Sequence, residues 1–555
     1  MITRRDLMAA AAALAAAGLP ARAQERPTQE ALLRFDPLGQ VTLVHVTDLH
    51  AQLVPMHFRE ATLNVGVGEA RGQVPHLTGE ALLAHYRIAP GTPMAHALTD
   101  LDFERLARAY GPMGGLDRIV AVIRAIRAER PDNTLVLDGG DTLQGSWTSL
   151  QTRGADMAEA LGALTADATT GHWEFTYGAE RVKELVAALP CPFLAGNVQD
   201  TEWNEDVFEH TRMFERGGVR VAVIGQAFPY TPIANPRWLI PDWSFGIREE
   251  RLAERVRAAR AEGAQLVVLL SHNGFDVDRK LAARVPGIDV ILTGHTHDAL
   301  PEPLRVGDTL LVASGCHGKF VSRLDLRIEG GRVAEHRHAL IPIFAESIVP
   351  DEEAAALVRR LRAPFAADLS RVVGRTESLL TRRGNLNGTM DDVICAALMR
   401  QRDAEIALSP GFRWGYTLLP GSDITAEDVW AHTAITYPAA YRTTMTGEML
   451  KTILEDVADN LFNPDPYYQQ GGDMVRVGGL GWTLDVAAPA GRRISGLTLL
   501  RTGEPIEAAR DYVVAGWASV NQGTEGPPVW EVVFRHLAEG PVRAEPNPHL
   551  RLKGA

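Results

Sequence analysis

An α/β fold in at least two domains is predicted by three features of the chain. Apolar, β-branched runs recur at 41–47, 134–137, 193–195, 219–224, 265–270 and 289–293, with helix-period segments between them. Short islands rich in Asp and His follow most of these runs, at the sheet margin where open α/β sheets gather ligands. The length of 555 residues exceeds what one hydrophobic core supports.

The elements follow in order. Residues 41–47 (VTLVHVT) are the mark of a buried strand, and Asp48 and His50 stand at its carboxyl end. Residues 55–112 carry scattered Gly, Pro and His with patchy helical periodicity, so they form an insertion expected to act as a lid or substrate-facing segment. Gly114-Gly115 opens a helix to about Arg130, and the run 134–137 returns as a strand before Gly140-Asp141. Helices follow at 155–164 and 179–189, on either side of a turn holding His172. The cycle then continues with the later strands and a helix at 247–262. A charged linker helix over 351–370 leads from a first domain, 24–350, into a second, 371–555, where helices and twisted strands mix.

Residues 1–23 read as an export signal. Thr3-Arg4-Arg5-Asp6-Leu7-Met8 places paired arginines before an alanine-rich run, and Ala21-Arg22-Ala23 supplies a small-x-small cleavage site. This pattern predicts passage to the periplasm, already folded, by the twin-arginine route. The run is too short and too weakly apolar for a membrane anchor. The net charge of −13 argues against a surface that coats nucleic acid. Three widely spaced cysteines, Cys191, Cys316 and Cys395, give no disulfide framework. Cys191 and Cys395 read as buried small hydrophobes, and Cys316, beside His317, is a weaker candidate for reaching a metal.

The chemistry lies in five islands: Asp48-Leu49-His50, Gly140-Asp141, Gly171-His172-Trp173-Glu174, Ser271-His272-Asn273 and Gly294-His295-Thr296-His297. Asp and neutral His suit Mn, Fe or Zn. Seven ligands (Asp48, His50, Asp141, His172, His272, His295 and His297) exceed the needs of one ion and predict two divalent ions sharing a ligand. Asn197 and Asn273 are expected to orient ligands rather than bind metal. A lone His is usually a core or surface residue, as expected for His45, His57, His76 and His210; the five ligand histidines are set apart by their company.

In this order the islands resemble the calcineurin-like metallophosphoesterases, and within them the secreted 5′-nucleotidase family. Gly114-Gly115-Leu116-Asp117-Arg118, Gly421-Ser422-Asp423-Ile424-Thr425 and Thr446-Gly447-Glu448-Met449-Leu450 extend the likeness into both domains. The resemblance implies a four-layer N-terminal domain, a β-sandwich flanked by helices, and a C-terminal α+β substrate domain. It implies one ion on Asp48, His50, Asp141 and His297, with Asp141 bridging to a second on His172, His272 and His295. It further implies substrate contacts from Arg413, and from Arg382 and Arg383 in a similar context; for that pair a solvated surface role is equally open.

The third island departs from the nucleotidases, which read Gly-Asn-His-Glu-Phe-Asp there. Trp173 stands in the place of the family's catalytic His, and Thr176 in that of the Asp that orients it. The string Gly-His-Trp-Glu-Phe-Thr-Tyr-Gly, the insertion and the twin-arginine signal resemble the thiosulfohydrolases of the Sox sulfur-oxidation system. That likeness implies a manganese pair and a substrate carried on the cysteine of the C-terminal arm of a sulfur carrier complex, SoxYZ, with sulfate released from its terminal sulfone. The alternatives are a periplasmic 5′-nucleotidase or phosphodiesterase, which calls for His and Asp at 173 and 176, and a non-enzymatic binding protein, which calls for lost ligands. The nucleotidase clamp for a base has no evident counterpart, although Tyr467, Tyr468 and Trp482 lie nearby in sequence.

Overall fold

The computed structural model describes residues 25–554, so the signal at 1–23 lies outside the described residues. The first domain is built on β1 (Val41–Val46), β2 (Thr134–Asp138), β3 (Ala168–Thr169), β4 (Thr211–Arg216), β5 (Val219–Gln226), β6 (Leu266–Ser271), β7 (Val290–Thr293), β8 (Leu304–Val306), β9 (Thr309–Ala313), β10 (Phe320–Glu329) and β11 (Arg332–Pro342). One sheet runs β11-β10-β1-β2-β3 and the other β8-β9-β7-β6-β5-β4. β1, β2 and β3 are parallel, as are β5, β6, β7 and β9, while hairpin partners run antiparallel at the edges.

The two sheets face each other across Leu43, Leu135, Leu137, Val223, Val268, Leu270 and Leu292. Their outer faces are covered by helices. Leu116–Glu129, whose Leu116, Ile119, Val120, Ile123 and Ile126 form one apolar stripe, packs on the first sheet with Ala155–Leu164 and Glu352–Arg362. Glu249–Ala261 and Phe275–Arg284 cover the second. Because both faces of each sheet are buried, central strands such as β6 (LVVLLS) are apolar up to their last residue rather than alternating. Each such side chain contributes about 1.5–3 kcal/mol on burial, against about 0–1 kcal/mol for a surface ion pair, so this four-layer packing fixes the frame.

Two expectations are revised. Residues 193–195 form isolated bridges to Thr169 and Glu209 rather than a ladder strand. The helix after 351 stops at Arg362; Pro364 lacks an N–H, and a 3₁₀ turn (Ala363–Phe365) and a short helix (Ala366–Leu369) follow. The insertion is firmly packed: its helices Gly79–Tyr86, Pro93–Leu98 and Phe103–Tyr110 bury Leu83, Leu98 and Leu106 against Phe320, Leu340 and Phe344.

The second domain joins a sheet of Tyr441–Thr446, Asp511–Gly516, Ile406–Ser409 and Arg476–Gly478 to a smaller one built on Leu480–Asp485. Thr389–Arg402 and Val529–Leu537 pack together at one side. A hydrogen bond from Gln144 Nε2 to Ala434 O and the stacking of Trp147 on Trp430, ring centroids 4.0 Å apart, join the domains near the site. Cys191, Cys316 and Cys395 are free and buried.

Candidate dinuclear metal centre

The turns that end β1, β2, β3, β6 and β7 converge at one sheet margin. Local conformation sets the side-chain directions: Asp48, His50, Asp141, His295 and His297 all have φ between +47° and +73°, the left-handed region non-glycine residues avoid. Such residues cost about 1–3 kcal/mol each and persist only where the surroundings impose them, which is a mark of functional sites. Backbone bonds supply that imposition: Asp48 N–H donates to Gly140 O and His50 N–H to Asp141 O, both at 2.8 Å.

Asp141 is the hub. Its Oδ2 lies 3.1 Å from His172 Nδ1, 3.1 Å from His272 Nε2 and 3.8 Å from His50 Nε2, while its Oδ1 accepts the Trp173 N–H at 2.7 Å. Beside it, His297 Nε2 lies 3.0 Å from His50 Nε2 and 3.3 Å from Asp48 Oδ1. Two sets able to hold a metal therefore adjoin, Asp141-His172-His272-His295 and Asp48-His50-His297, all buried. The structure brings all seven predicted ligands together.

The donor arrangement fits cations. His272 Nδ1 sits 2.6 Å from Gly139 O and must donate to it, which leaves the Nε2 lone pair pointing at a carboxylate oxygen. Two acceptors in contact need a positive charge between them. Burial opposes protonation of His272, yet the Asp141 and Asp48 carboxylates raise it to about 10, so a proton fills the place a metal would take. Burial, reinforced by neighbouring imidazoles, holds His295 and His297 well below the usual imidazole range, and burial also lowers His50 and His172. A lowered value favours the neutral imidazole, whose lone pair can face a cation. Burial works against Asp141 ionising, but His172, His272 and His50 hold it well below the ordinary carboxylate range.

Supporting residues settle differently from expectation. Thr176 does not face the site: its Oγ1 donates to Trp173 O at 2.7 Å, closing the 3₁₀ turn that presents Trp173. Neither asparagine hydrogen-bonds a candidate ligand side chain. Asn197 brackets Ala227 and thereby fixes the loop carrying Phe228; Asn273 binds Gln226 and Asp278. Arg382 is buried outside the cavity lining, its donors taken by Asp391, Trp414 O and His432 O, so it holds Trp414 in place rather than facing substrate. Arg383 donates to Thr296 O behind the histidines. Arg413 alone of the three lines the main cavity, held by Asp473 and Gly472 O. Tyr467 bonds Glu249 and Trp482 is buried in the second domain's core, so neither forms a base clamp.

Four groups escaped the sequence reading. Glu174 accepts the backbone N–H groups of Thr142, Leu143 and His172, tying two ligand turns together; its place in the third island was the available signal. Phe228 stacks on His295 at 4.0 Å, in the loop after β5, whose strand-end position hinted at the site. Phe412 and Trp414 form an aromatic wall with Trp173, centroids 5.2 and 4.9 Å away, and nothing short of the fold reveals it. Gly471, at φ +77°, lies so close to the His295 ring that a Cβ there would stand 2.1 Å from Nε2. Cys316 Sγ lies within 4.8 Å of ring nitrogens of His297 and His317.

The cavity over the centre measures about 200 Å³ and is lined by His50, Asp141, Trp173, Phe412, Arg413 and Trp414, with Ile233 at its edge.

Residues 41–299 match the family model of the calcineurin-like phosphoesterases, and residues 372–533 that of the 5′-nucleotidase C-terminal domain. A 5′-nucleotidase from Diplobatis ommata is 26% identical over 316 residues, 52% of this chain and 54% of that protein, so the chain spans about half the length of such curated relatives. A solved 5′-nucleotidase precursor from Thermus thermophilus shares the fold at a TM-score of 0.73 and 22% identity, over 93% of this chain and all of that one. The sulfate thiohydrolase SoxB of the same organism superposes with a TM-score of 0.91 at 38% identity, covering 94% of this chain and 98% of that one. The sheet-margin metal cradle, the second domain and this likeness across nearly the whole chain agree: the protein belongs to the SoxB family, within the calcineurin-like metallophosphoesterases that carry a 5′-nucleotidase C-terminal domain.

Proposed function

We propose that the protein is a periplasmic thiosulfohydrolase, releasing sulfate from a thiosulfonate carried on the cysteine of the Sox carrier complex SoxYZ. The observation that carries this reading is Trp173, seated beside Asp141 and packed on Phe412 and Trp414, where a phosphatase needs a proton donor.

Asp48, His50, Asp141 and His297 would hold one divalent ion, and Asp141, His172, His272 and His295 the other, with manganese the proposed metal. Such a pair supplies Lewis acidity toward a tetrahedral oxyanion and makes water a nucleophile at neutral pH. The chain's own residues do the rest. Arg413, its guanidinium at the cavity wall, orients the sulfonate through charge-assisted hydrogen bonds. Water's oxygen bonds to the terminal sulfur, the S–S bond breaks, and the persulfide departs with the electron pair. A persulfide is a far better leaving group than a nucleoside alkoxide, so an indole wall in place of a general acid is tolerable. That wall also excludes bulk water and suits an apolar thiol-bearing arm.

Size points the same way. About 200 Å³ falls below the roughly 300–1,000 Å³ of ordinary small-molecule pockets, narrow for a stacked nucleotide and sufficient for a slender arm. No helix among the described residues is long and apolar enough to cross a membrane, and export is proposed from the twin-arginine signal. The alternative, a 5′-nucleotidase or phosphodiesterase, draws on the same cradle and on the nucleotidase relatives. Incubating manganese-loaded protein with a cysteine-thiosulfonate carrier peptide and, separately, with AMP decides between them. Sulfate from the peptide is expected; phosphate from AMP with no sulfate would overturn the proposal.

A further inference from the structure

His317 stands beside the metal cradle without belonging to it. It lies in the turn Gly315-Cys316-His317-Gly318 between β9 and β10, fully buried, with φ at +54°, where non-glycine residues are uncommon. Its backbone N–H donates to Asp48 O at 2.8 Å, so this turn is anchored on the ligand turn after β1. Its ring is flanked by Phe58 and His50, with centroids 4.9 and 5.4 Å away. His317 Nε2 accepts the Gly415 N–H at 3.1 Å, across the domain boundary. A backbone N–H can donate only to an unprotonated ring nitrogen, so the neutral ring carries its proton on Nδ1 and keeps no lone pair for a metal.

The partner residue leaves little freedom. Gly415 has φ +118°, and a Cβ there would stand 2.2 Å from His432 Nδ1, so the backbone is boxed between two imidazoles. The residue before it is Trp414, whose ring lies 5.9 Å from His50 and 4.9 Å from Trp173. Trp414 O accepts Arg382 Nη1 at 3.1 Å from within the second domain. The indole is thus held from its own domain at its carbonyl and from the first domain through the next N–H. Two residues further on, the Thr417 N–H donates to His57 O of the insertion at 2.7 Å.

We infer that His317 is a positioning residue: anchored to the Asp48 turn, it holds Gly415 and so sets the distance between the Trp414 indole and the ligand ring of His50. This deepens the hydrolase reading above and rests on it for the effect on turnover; the spacing itself does not depend on which substrate is cleaved.

Two substitutions separate this role from a purely local one. The amide oxygen of Gln can reach the place of an imidazole Nε2, whereas that of Asn corresponds to Nδ1 and falls short. Backbone preference ranks them oppositely, because Asn tolerates positive φ better. A role confined to the turn therefore favours His317→Asn, and the positioning role favours His317→Gln. Crystal structures of the metal-loaded variants should show Trp414 in place in H317Q and drawn away from His50 by about 1 Å in H317N, a misplacement able to cost up to about a hundredfold in rate. On the thiosulfonate peptide, kcat/KM should fall at least about tenfold in H317N and stay within about twofold of the unaltered protein in H317Q, with metal content unchanged in both. An unmoved Trp414 in H317N, equal losses in the two variants, or loss of metal from H317N overturns the assignment. If the unaltered protein fails to cleave the peptide, the hydrolase reading falls, and the crystal comparison still decides the role of His317.

Discussion

The two halves of the site were built by different means. On the sheet side, ligands arise from short contiguous islands, each at the end of a buried strand, and their backbone is strained into place. On the second-domain side, Phe412, Arg413, Trp414 and Gly471 come from loops with no metal-ligand chemistry of their own, pressed onto the centre by the domain contact. The sheet side supplies the groups able to hold metal; the second-domain side supplies the walls of the cavity above them.

Disabling the sheet side should have the largest effect. Asp141→Asn removes the shared charge at the hub, and activity should fall by about a thousandfold or more, since bound metal contributes several kcal/mol of transition-state stabilisation. Elemental analysis of the variant should show metal lost from both positions; retention of two equivalents would break the hub assignment. Next come two arginines that differ in what they touch. Arg382→Leu breaks a buried pair with Asp391 and should cost about 3–5 kcal/mol of stability, seen as a lower denaturation midpoint, with metal content per folded molecule retained. Arg413→Ala also removes a partner of the buried Asp473 and so lowers the midpoint, and in the folded fraction it should lower kcat/KM by about 10–100-fold, the worth of one or two charge-assisted hydrogen bonds.

Proton competition should sharpen the picture of the cradle. In the metal-free protein His272 is raised to about 10 and holds its proton through neutral pH; metal must displace it. Binding therefore releases a proton, and apparent metal affinity should rise by about tenfold per pH unit between 6 and 8, measurable by competition with a chelator at each pH. The sign for stability is opposite: a raised folded-state value adds stability to the metal-free protein below the unfolded histidine value, and that stability is lost as pH rises through about 10. The smallest expected change is Trp173→His, which should confer measurable phosphatase activity on AMP and lower sulfate release several-fold. Unaltered sulfate release with no phosphatase gain would detach the indole from specificity.

The contrast also explains what could be read in advance. A metal cradle needs particular residue types just after strands, so Asp48, His50, Asp141 and the later histidines were legible one island at a time. The four-layer frame was carried by the fully apolar strands and the family likeness. The aromatic wall was not legible, because Phe412 and Trp414 are far from Trp173 in sequence and aromatic residues usually serve cores. Arg382 and Arg383 show the same limit: adjacent in sequence, they point to different surroundings, and only the packing of Asp391 against the first separates them. Asn197 was expected to orient a ligand and instead holds the Phe228 loop, one step further from the centre.

The central claim is a pair of cations sharing Asp141 beneath a second-domain aromatic wall. Anomalous diffraction from the manganese-loaded protein, combined with elemental analysis, tests it most directly. Two equivalents are predicted, giving two peaks that flank the Asp141 carboxylate, one beside Asp48, His50 and His297 and one beside His172, His272 and His295. A single equivalent, or one peak that leaves either set of ligands empty, would contradict it.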